Sequence, residues 1–259
     1  MAKNAWQGLA LSMLWLALPF AANAQGAAAV LGPTADALKI ADVTTVRVVA
    51  AGSGYEKGNP QPIVPDREAL AAAGRATADP SSPMYVPPPA DRRRSYYRIV
   101  SHVEEIDLAA ESLEIEEVRA ESSAPNAART PASTTTVDAS ADWSERHRYW
   151  LTPHGFVRGA LARNASVGTE TVAGTEYRVV SFTVDGHEVR GYVDPEDKLV
   201  RVRTTVASED GEATDVIESF FDWKDQGGLA FPSILIRKEN DELAEVLVVQ
   251  SVDTGTTAG

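Results

Sequence analysis

Two of the four histidines in this chain lie in one short segment, residues 147–156, which reads "HRYWLTPHGF". Histidine can ligate a metal ion or serve as a general acid or base. The spacing of His147 and His154 matches neither a His-x-His pair nor a His-Glu-x-x-His helix. Thr152 can instead cap a helix that Pro153 begins, because proline has no backbone N–H to leave unpaired. We therefore expect the segment to start a helix and to hold no metal ion.

Other patterns with chemical potential are also weak. The glycines of "GSGYEKG" (52–58) are spaced like a phosphate loop, but the Gly-Lys-Ser/Thr ending is missing. His187 and Glu188 are adjacent in a strand, so alternation sends them to opposite faces. The sequence has no Gly-x-Ser-x-Gly motif. It also has no cysteine, which excludes disulfides and thiolate chemistry. We expect no catalytic residue, no metal and no cofactor, and favour a chain that is not itself an enzyme.

The elements that must position these residues are mostly strands. Phe156, Val157, Ala160 and Leu161 fall at helical spacing and predict a helix that ends near "NASVG" (164–168). Six alternating segments follow, and turn sequences such as Asp185-Gly186 separate them. They cover residues 177–184, 187–193, 199–206, 214–223, 231–238 and 242–252. Consecutive hairpins of this kind predict an antiparallel meander.

The first half of the chain is less regular. A short helix is predicted at residues 34–41, and strands at 42–52, 93–108 and 112–121. Residues 75–93 are rich in proline and residues 122–140 in small polar side chains, so both are predicted to be disordered loops. Together the elements predict a mainly β (α+β) domain. We expect a curled antiparallel half-barrel sheet with one or two short helices over its concave face.

The N-terminus and the overall composition restrict location and partners. Lys3, the apolar "LALSMLWLALPF" and the small residues before Gln25 form a signal-peptide pattern, with cleavage near Ala24-Gln25. Residues 25–259 are then one domain, periplasmic or secreted, with no transmembrane segment. The formal charge of −13 argues against a nucleic-acid partner, since phosphate contacts need a basic surface.

Several segments resemble a known family. "WLTPHGFVRGALARNA", "VVSFTVDGHEVRGYVDPEDKLVRVRT" and "DWKDQGGLAFPSILI", with the earlier "VTTVRVVAAGSGYEKGNP", resemble the N-terminal leader domain of exported metallo-β-lactamase-fold hydrolases. The resemblance implies a partner hydrolase domain that carries the zinc ligands, such as His-x-His-x-Asp-His, which are absent here. The chain is then a stand-alone leader domain or a fragment of a longer hydrolase. In architecture alone, the strand pattern is also similar to the half-barrel of periplasmic lipoprotein carriers.

The two resemblances lead to two hypotheses. In the first, the hollow of the half-barrel binds an apolar small molecule or acyl chain, or docks a partner domain. In the second, the chain is the non-catalytic part of a zinc-dependent hydrolase. The side chains that would line the apolar hollow are Trp150, Phe156, Leu161, Phe182, Phe221, Trp223 and Phe231.

Overall fold

The computed structural model describes residues 18–55, 96–120, 127–207 and 212–256 of the chain. They form three helices and eleven strands. The helices are α1 (Leu18–Ala37), α2 (Trp143–Leu151) and α3 (Pro153–Ala162). The strands are β1 (Val43–Tyr55), β2 (Tyr96–Asp107), β3 (Ser112–Arg119), β4 (Ser133–Val137), β5 (Ser166–Val172), β6 (Thr175–Val184), β7 (His187–Val193), β8 (Leu199–Ala207), β9 (Ala213–Gln226), β10 (Leu229–Glu239) and β11 (Glu242–Thr256). The predicted mainly β fold class is confirmed.

All these strands belong to one open antiparallel sheet, in the order β4-β3-β2-β1-β11-β10-β9-β8-β7-β6-β5. Strands β5 to β11 form one meander and β1 to β4 another. Strand β1 joins the two because it pairs with β11, from Val43 opposite Thr256 to Gly54 opposite Glu245. The first and last strands of the chain therefore lie side by side within the sheet.

Tight turns set the register of the C-terminal meander. Asp185 and Gly186 both have positive φ, 51° and 86°, which is the conformation that a two-residue hairpin with the natural strand twist requires. The hairpin predicted at Asp185-Gly186 is confirmed. Positive φ at both turn residues also occurs in the β5–β6, β9–β10 and β10–β11 turns, at Ala173-Gly174, Gly227-Gly228 and Asn240-Asp241.

The helices cover one face of the sheet, which we call the inner face and which carries Val180, Val202, Phe220 and Leu235. Helix α2 contacts β3, β4 and β8, whereas α1 contacts β5, β6 and β10. Because the helices touch strands near both edges, the sheet must curl around them. Their buried apolar side chains form one continuous core with the inner face. The predicted curled sheet with a helical cover is confirmed.

Three elements correct the sequence predictions. Strand β4 lies within residues 122–140, which were predicted to be disordered, because its threonines and Val137 are β-branched and fit an edge strand. Strand β5 occupies the end of "NASVG" and adds a seventh strand to the meander. Helix α2 precedes the predicted helix, so three helices cover the sheet rather than one or two. Residues 75–93 lie outside the described part of the chain.

Helix α1 replaces the short helix predicted at residues 34–41. It ends at Ala37, and Lys39 follows with a positive φ of 51° that cannot continue a helix. Ala27, Val30 and Leu31 of α1 are buried in the core. Residues 1–17 of the predicted signal peptide lie outside the described residues. Among the residues described, no helix combines the length and apolar character needed to cross a membrane.

Candidate functional site

The histidines of residues 147–156 have structural roles. The Thr152 hydroxyl donates to Tyr149 O (2.8 Å) and accepts from Gly155 N (3.0 Å), so the helix start predicted at Thr152-Pro153 is confirmed. His154 Nε2 lies 3.2 Å from Leu38 O, and its ring stacks on Phe231. Nδ1 of His154 has no hydrogen-bond partner among the described residues. Burial lowers the pKa of His154 to about 4, so the ring is neutral at pH 7.

His147 is the other histidine of this segment, and it also bonds to backbone. Its Nδ1 lies 3.0 Å from Trp143 O, one turn earlier in α2. Burial lowers the pKa of His147 to about 4, and the nearby Arg237 acts in the same direction. In the described part of the chain, each histidine of the segment thus has one ring nitrogen near a backbone carbonyl, and neither belongs to a group of three ligand-type side chains.

The seven aromatic and aliphatic residues of the predicted hollow do not form one group. Trp150, Phe156, Phe182 and Phe231 are buried in the core between the helices and the inner face, and Trp223 packs against this core while partly exposed. Phe221 belongs to a second cluster with Ile234, Ile236 and Leu243, and Leu161 is 39% exposed. Four of the seven predicted ligand-binding residues are therefore buried in the core. Their positions do not test whether a ligand binds there.

A small cavity lies where α2 meets α3, against the inner face. Its volume is about 20 Å³, which is room for roughly one water molecule. One part of its lining is apolar and the other is charged. The apolar part comprises Leu151, Pro153, Phe220, Phe231, Leu235 and Leu247, and the charged part comprises Glu104, Arg148, Glu218 and Arg237. Between α2, α3 and the inner face, the described residues therefore leave a small cavity with an amphipathic lining.

The charged part of this lining belongs to a larger group, which we call the charged cluster. It contains four carboxylates, three guanidinium groups and one imidazole, contributed by five strands and α2. Its members are His102 and Glu104 on β2, Glu117 and Arg119 on β3, Glu218 on β9, Arg237 on β10, Glu245 on β11 and Arg148 on α2. His102, Glu104, Glu117 and Glu218 are each at most 7% exposed, so the cluster is largely removed from water.

Short polar contacts hold the charged cluster together. His102 lies between two carboxylates, with Nδ1 3.2 Å from Glu117 Oε2 and Nε2 3.1 Å from Glu104 Oε1. Arg119 Nε donates to the other oxygen of Glu117. Arg237 Nε donates to Glu218 Oε2 at 2.9 Å on the neighbouring strand.

Small residues on β1 make room for these side chains. Ala50 pairs with His102, and Gly54 pairs with both Tyr97 and Glu245. A Cβ on Gly54 would lie 2.1 Å from the Tyr97 ring, so only glycine fits beneath that ring. Gly54 of "GSGYEKG" therefore lies in a strand and allows the close approach of Tyr97.

Neighbouring charges set the ionisation of the cluster. Burial acts to lower the pKa of His102, but hydrogen bonds to Glu104 and Glu117 outweigh it and raise this pKa to about 10. His102 is therefore an imidazolium at pH 7. Burial raises the pKa of Glu218 to about 7, against the opposing effect of Arg237. Burial and the nearby Arg237 lower the pKa of the Arg148 guanidinium.

One subset of the cluster has the composition of a metal site. One ligand-type atom each of His102, Glu117 and Glu245 lie within 4.8 Å of one another. The sequence prediction of no metal site was based on the spacing of the histidines from one another and from their neighbours in the chain. The residues that approach His102 come from β3 and β11, which no local motif can reveal. The alternation of side chains along the strands nevertheless contained a signal for this cluster. His102 and Glu104 point to the same strand face as the buried Ile106, and Glu117 points to the same face as the buried Leu113 and Ile115.

Comparisons with known proteins give only distant similarities. Neither the family models nor the curated proteins compared with this sequence match it. Among solved structures, a LolA superfamily protein from Nitrosomonas europaea has a TM-score of 0.42 and 10% identity, over 91% of this chain and 95% of that one. A DUF1329 family protein from Desulfovibrio piger has a TM-score of 0.41 and 6% identity, over 92% and 95%.

Both TM-scores are below 0.5, a level of similarity that assigns neither a ligand nor an activity. Neither structure is a metallo-β-lactamase-fold hydrolase. The resemblance to a hydrolase leader domain therefore has no support in these comparisons and stays a prediction.

Proposed function

We propose that this protein is an exported, non-catalytic domain that binds an acyl chain or a similar apolar ligand between its helices and the inner face of its sheet. The observation that carries the proposal is the amphipathic cavity at the α2–α3 junction. Phe220, Phe231 and Leu235 offer an apolar wall for a chain, and Arg148 and Arg237 offer a charged end for a polar head. An amphiphile is the ligand class that matches such a lining.

The size of the cavity determines how binding must occur. Ligand pockets have volumes of roughly 300–1,000 Å³, whereas this cavity measures about 20 Å³. An acyl chain can enter only if the helices move away from the sheet and the chain takes over their apolar contacts. Burial of the chain contributes about 25 cal/mol per Å², from which the cost of ordering and of moving the helices is subtracted.

The location of α1 is compatible with export. Cleavage near Ala24-Gln25 would remove the first part of α1 and leave Ala27, Val30 and Leu31, which are packed in the core. We expect protein recovered from the periplasm or culture medium of its host to begin at Gln25. N-terminal sequencing measures this directly, and an intact Met1 on all of the protein would contradict export by a cleaved signal.

Binding is tested with a fluorescent fatty-acid probe and the purified chain. We expect saturable binding of the probe, which an unlabelled fatty acid displaces. Phe231→Ala changes the cavity wall, whereas Phe221→Ala, a matched control, changes the other cluster. We expect altered probe affinity only for Phe231→Ala, with circular dichroism to show that both variants are folded.

The absence of probe binding at high micromolar concentration would remove the ligand proposal. Equal effects of the two phenylalanine variants would place any binding outside the cavity. An in-frame His-x-His-x-Asp-His segment in the DNA downstream of codon 259 would support the leader-domain alternative instead.

A further inference from the structure

We infer that His102, Glu117 and Glu245 form a binding site for one divalent transition-metal ion of the zinc type. The candidate ligand atoms lie within 4.8 Å of one another, on the neighbouring strands β2 and β3 and on β11, which β1 separates from β2. One imidazole nitrogen and two carboxylate oxygens match the ligand preference of Zn²⁺, with a fourth position open to water. This inference does not rest on the proposed acyl-chain binding, although Glu104 both lines the cavity and contacts His102.

The separation of the first two ligand atoms fits this coordination. With Zn–N and Zn–O bonds of about 2.0–2.1 Å, two ligand atoms of a tetrahedral site lie roughly 3.3–3.4 Å apart. His102 Nδ1 and Glu117 Oε2 are 3.2 Å apart. A cation between them takes the place of the Nδ1 proton, and Glu245, a half-buried side chain, closes the third position by rotation.

Two further residues hold these ligands as a metal site requires. A metal-bound histidine usually donates its other N–H to a carboxylate, which fixes the ring orientation. Glu104 Oε1 lies 3.1 Å from Nε2 of His102, in that position. Arg119 binds one oxygen of Glu117 and so leaves the other, Oε2, directed at His102. Both positioning groups are already in place without the ion.

The immediate surroundings of the His102 ring are acidic. Carboxylate oxygens of Glu104 and Glu117 lie 3.1 and 3.2 Å from its two nitrogens, and an oxygen of Glu245 completes the group of ligand-type atoms. A bound Zn²⁺ ion would contact the carboxylates of Glu117 and Glu245 directly.

The test is titration of the tag-free, chelator-treated chain with Zn²⁺ by isothermal calorimetry. We expect one ion per chain, and no competition from excess Mg²⁺ or Ca²⁺, because neither prefers an imidazole ligand. Glu245→Gln, which changes a half-buried side chain, is expected to weaken binding at least tenfold. Glu116→Gln is the matched control, since Glu116 is exposed beside Glu117 and has no place in the site.

A spectroscopic measurement identifies the ligands without relying on affinity. Co²⁺ in a four-coordinate site gives an intense visible d–d absorption, which we expect for the wild-type chain and not for His102→Gln. His187→Gln, a histidine outside the cluster that stacks on Trp143, should keep the absorption. Circular dichroism in the presence of chelator shows whether each variant is folded. Absence of stoichiometric Zn²⁺ binding, or binding that Glu245→Gln leaves unchanged, overturns the inference.

Discussion

His154 makes the stability of this protein sensitive to acid. Its ring is fully buried, Nε2 bonds to Leu38 O, and Nδ1 has no partner among the described residues, so a second ring proton has no acceptor. The pKa of His154 is lowered from 6.5 to about 4 by burial. Between these values the unfolded chain binds more protons than the folded one, so acid favours unfolding.

The magnitude follows from the two pKa values. Stability from the neutral ring is complete above pH 6.5 and is lost as the pH falls towards about 4. Linkage gives a loss of about 2 kcal/mol at pH 5 and about 3 kcal/mol at pH 4, with no further loss below both values. The variant His154→Gln keeps a donor for Leu38 O and has no titrating ring.

The assay is urea unfolding, followed by tryptophan fluorescence, at pH 7 and pH 5. Other groups also titrate in this range, so the useful quantity is the difference between wild type and His154→Gln. We expect the free energy of unfolding of the wild type to fall by about 2 kcal/mol more than that of the variant. Equal losses in the two proteins, or a larger loss in the variant, would refute the argument.

Two further predictions concern packing and buried charge. A Cβ on Gly191 would lie 2.2 Å from the Phe156 ring, so Gly191→Ala should lower the free energy of unfolding by about 1–3 kcal/mol in chemical denaturation. Gly168→Ala is the control and should not lower it, because a Cβ on Gly168 would have no atom within 4 Å. Arg237→Leu leaves Glu218 buried without its ion-pair partner and should lower the free energy of unfolding by about 3–5 kcal/mol. In the same assay, the double variant Arg237→Leu with Glu218→Leu should recover most of this loss, because neither charge then remains. Similar stability of the single and double variants would show that the pair is not coupled.

The sequence predicted those parts of the fold that depend on neighbours in the chain. Thr152-Pro153 identified a helix start, and Asp185-Gly186 identified a hairpin, because capping and turn chemistry are decided within a few residues. Edge strand β4 was missed since its threonines have no apolar alternation, and its stability comes from pairing with β3. The pairing of β1 with β11 joins residues from opposite ends of the chain, which no local pattern encodes.

The residues of the candidate sites could likewise be predicted only where the local sequence decides their position. Phe231 and Phe182 could be assigned to the core from their residue type, but Phe221 was placed with them and packs in the other cluster. Which strands come together at His102 depends on the order of the whole sheet. An inward-facing glutamate such as Glu117, in phase with Leu113 and Ile115, is the feature that could have located the charged cluster.

The charged cluster is also a physical reason to expect a ligand in this part of the protein. Desolvating several charges is costly, and apolar side chains of similar volume are often at least as stable. The chain has no disulfide to compensate for that cost. On the same face it nevertheless keeps Gly54 without a side chain, and Glu104 and Glu218 belong to the charged part of a cavity lining that is otherwise mainly apolar. Stability of the sheet alone does not favour this arrangement, whereas the proposed metal site would give it a use.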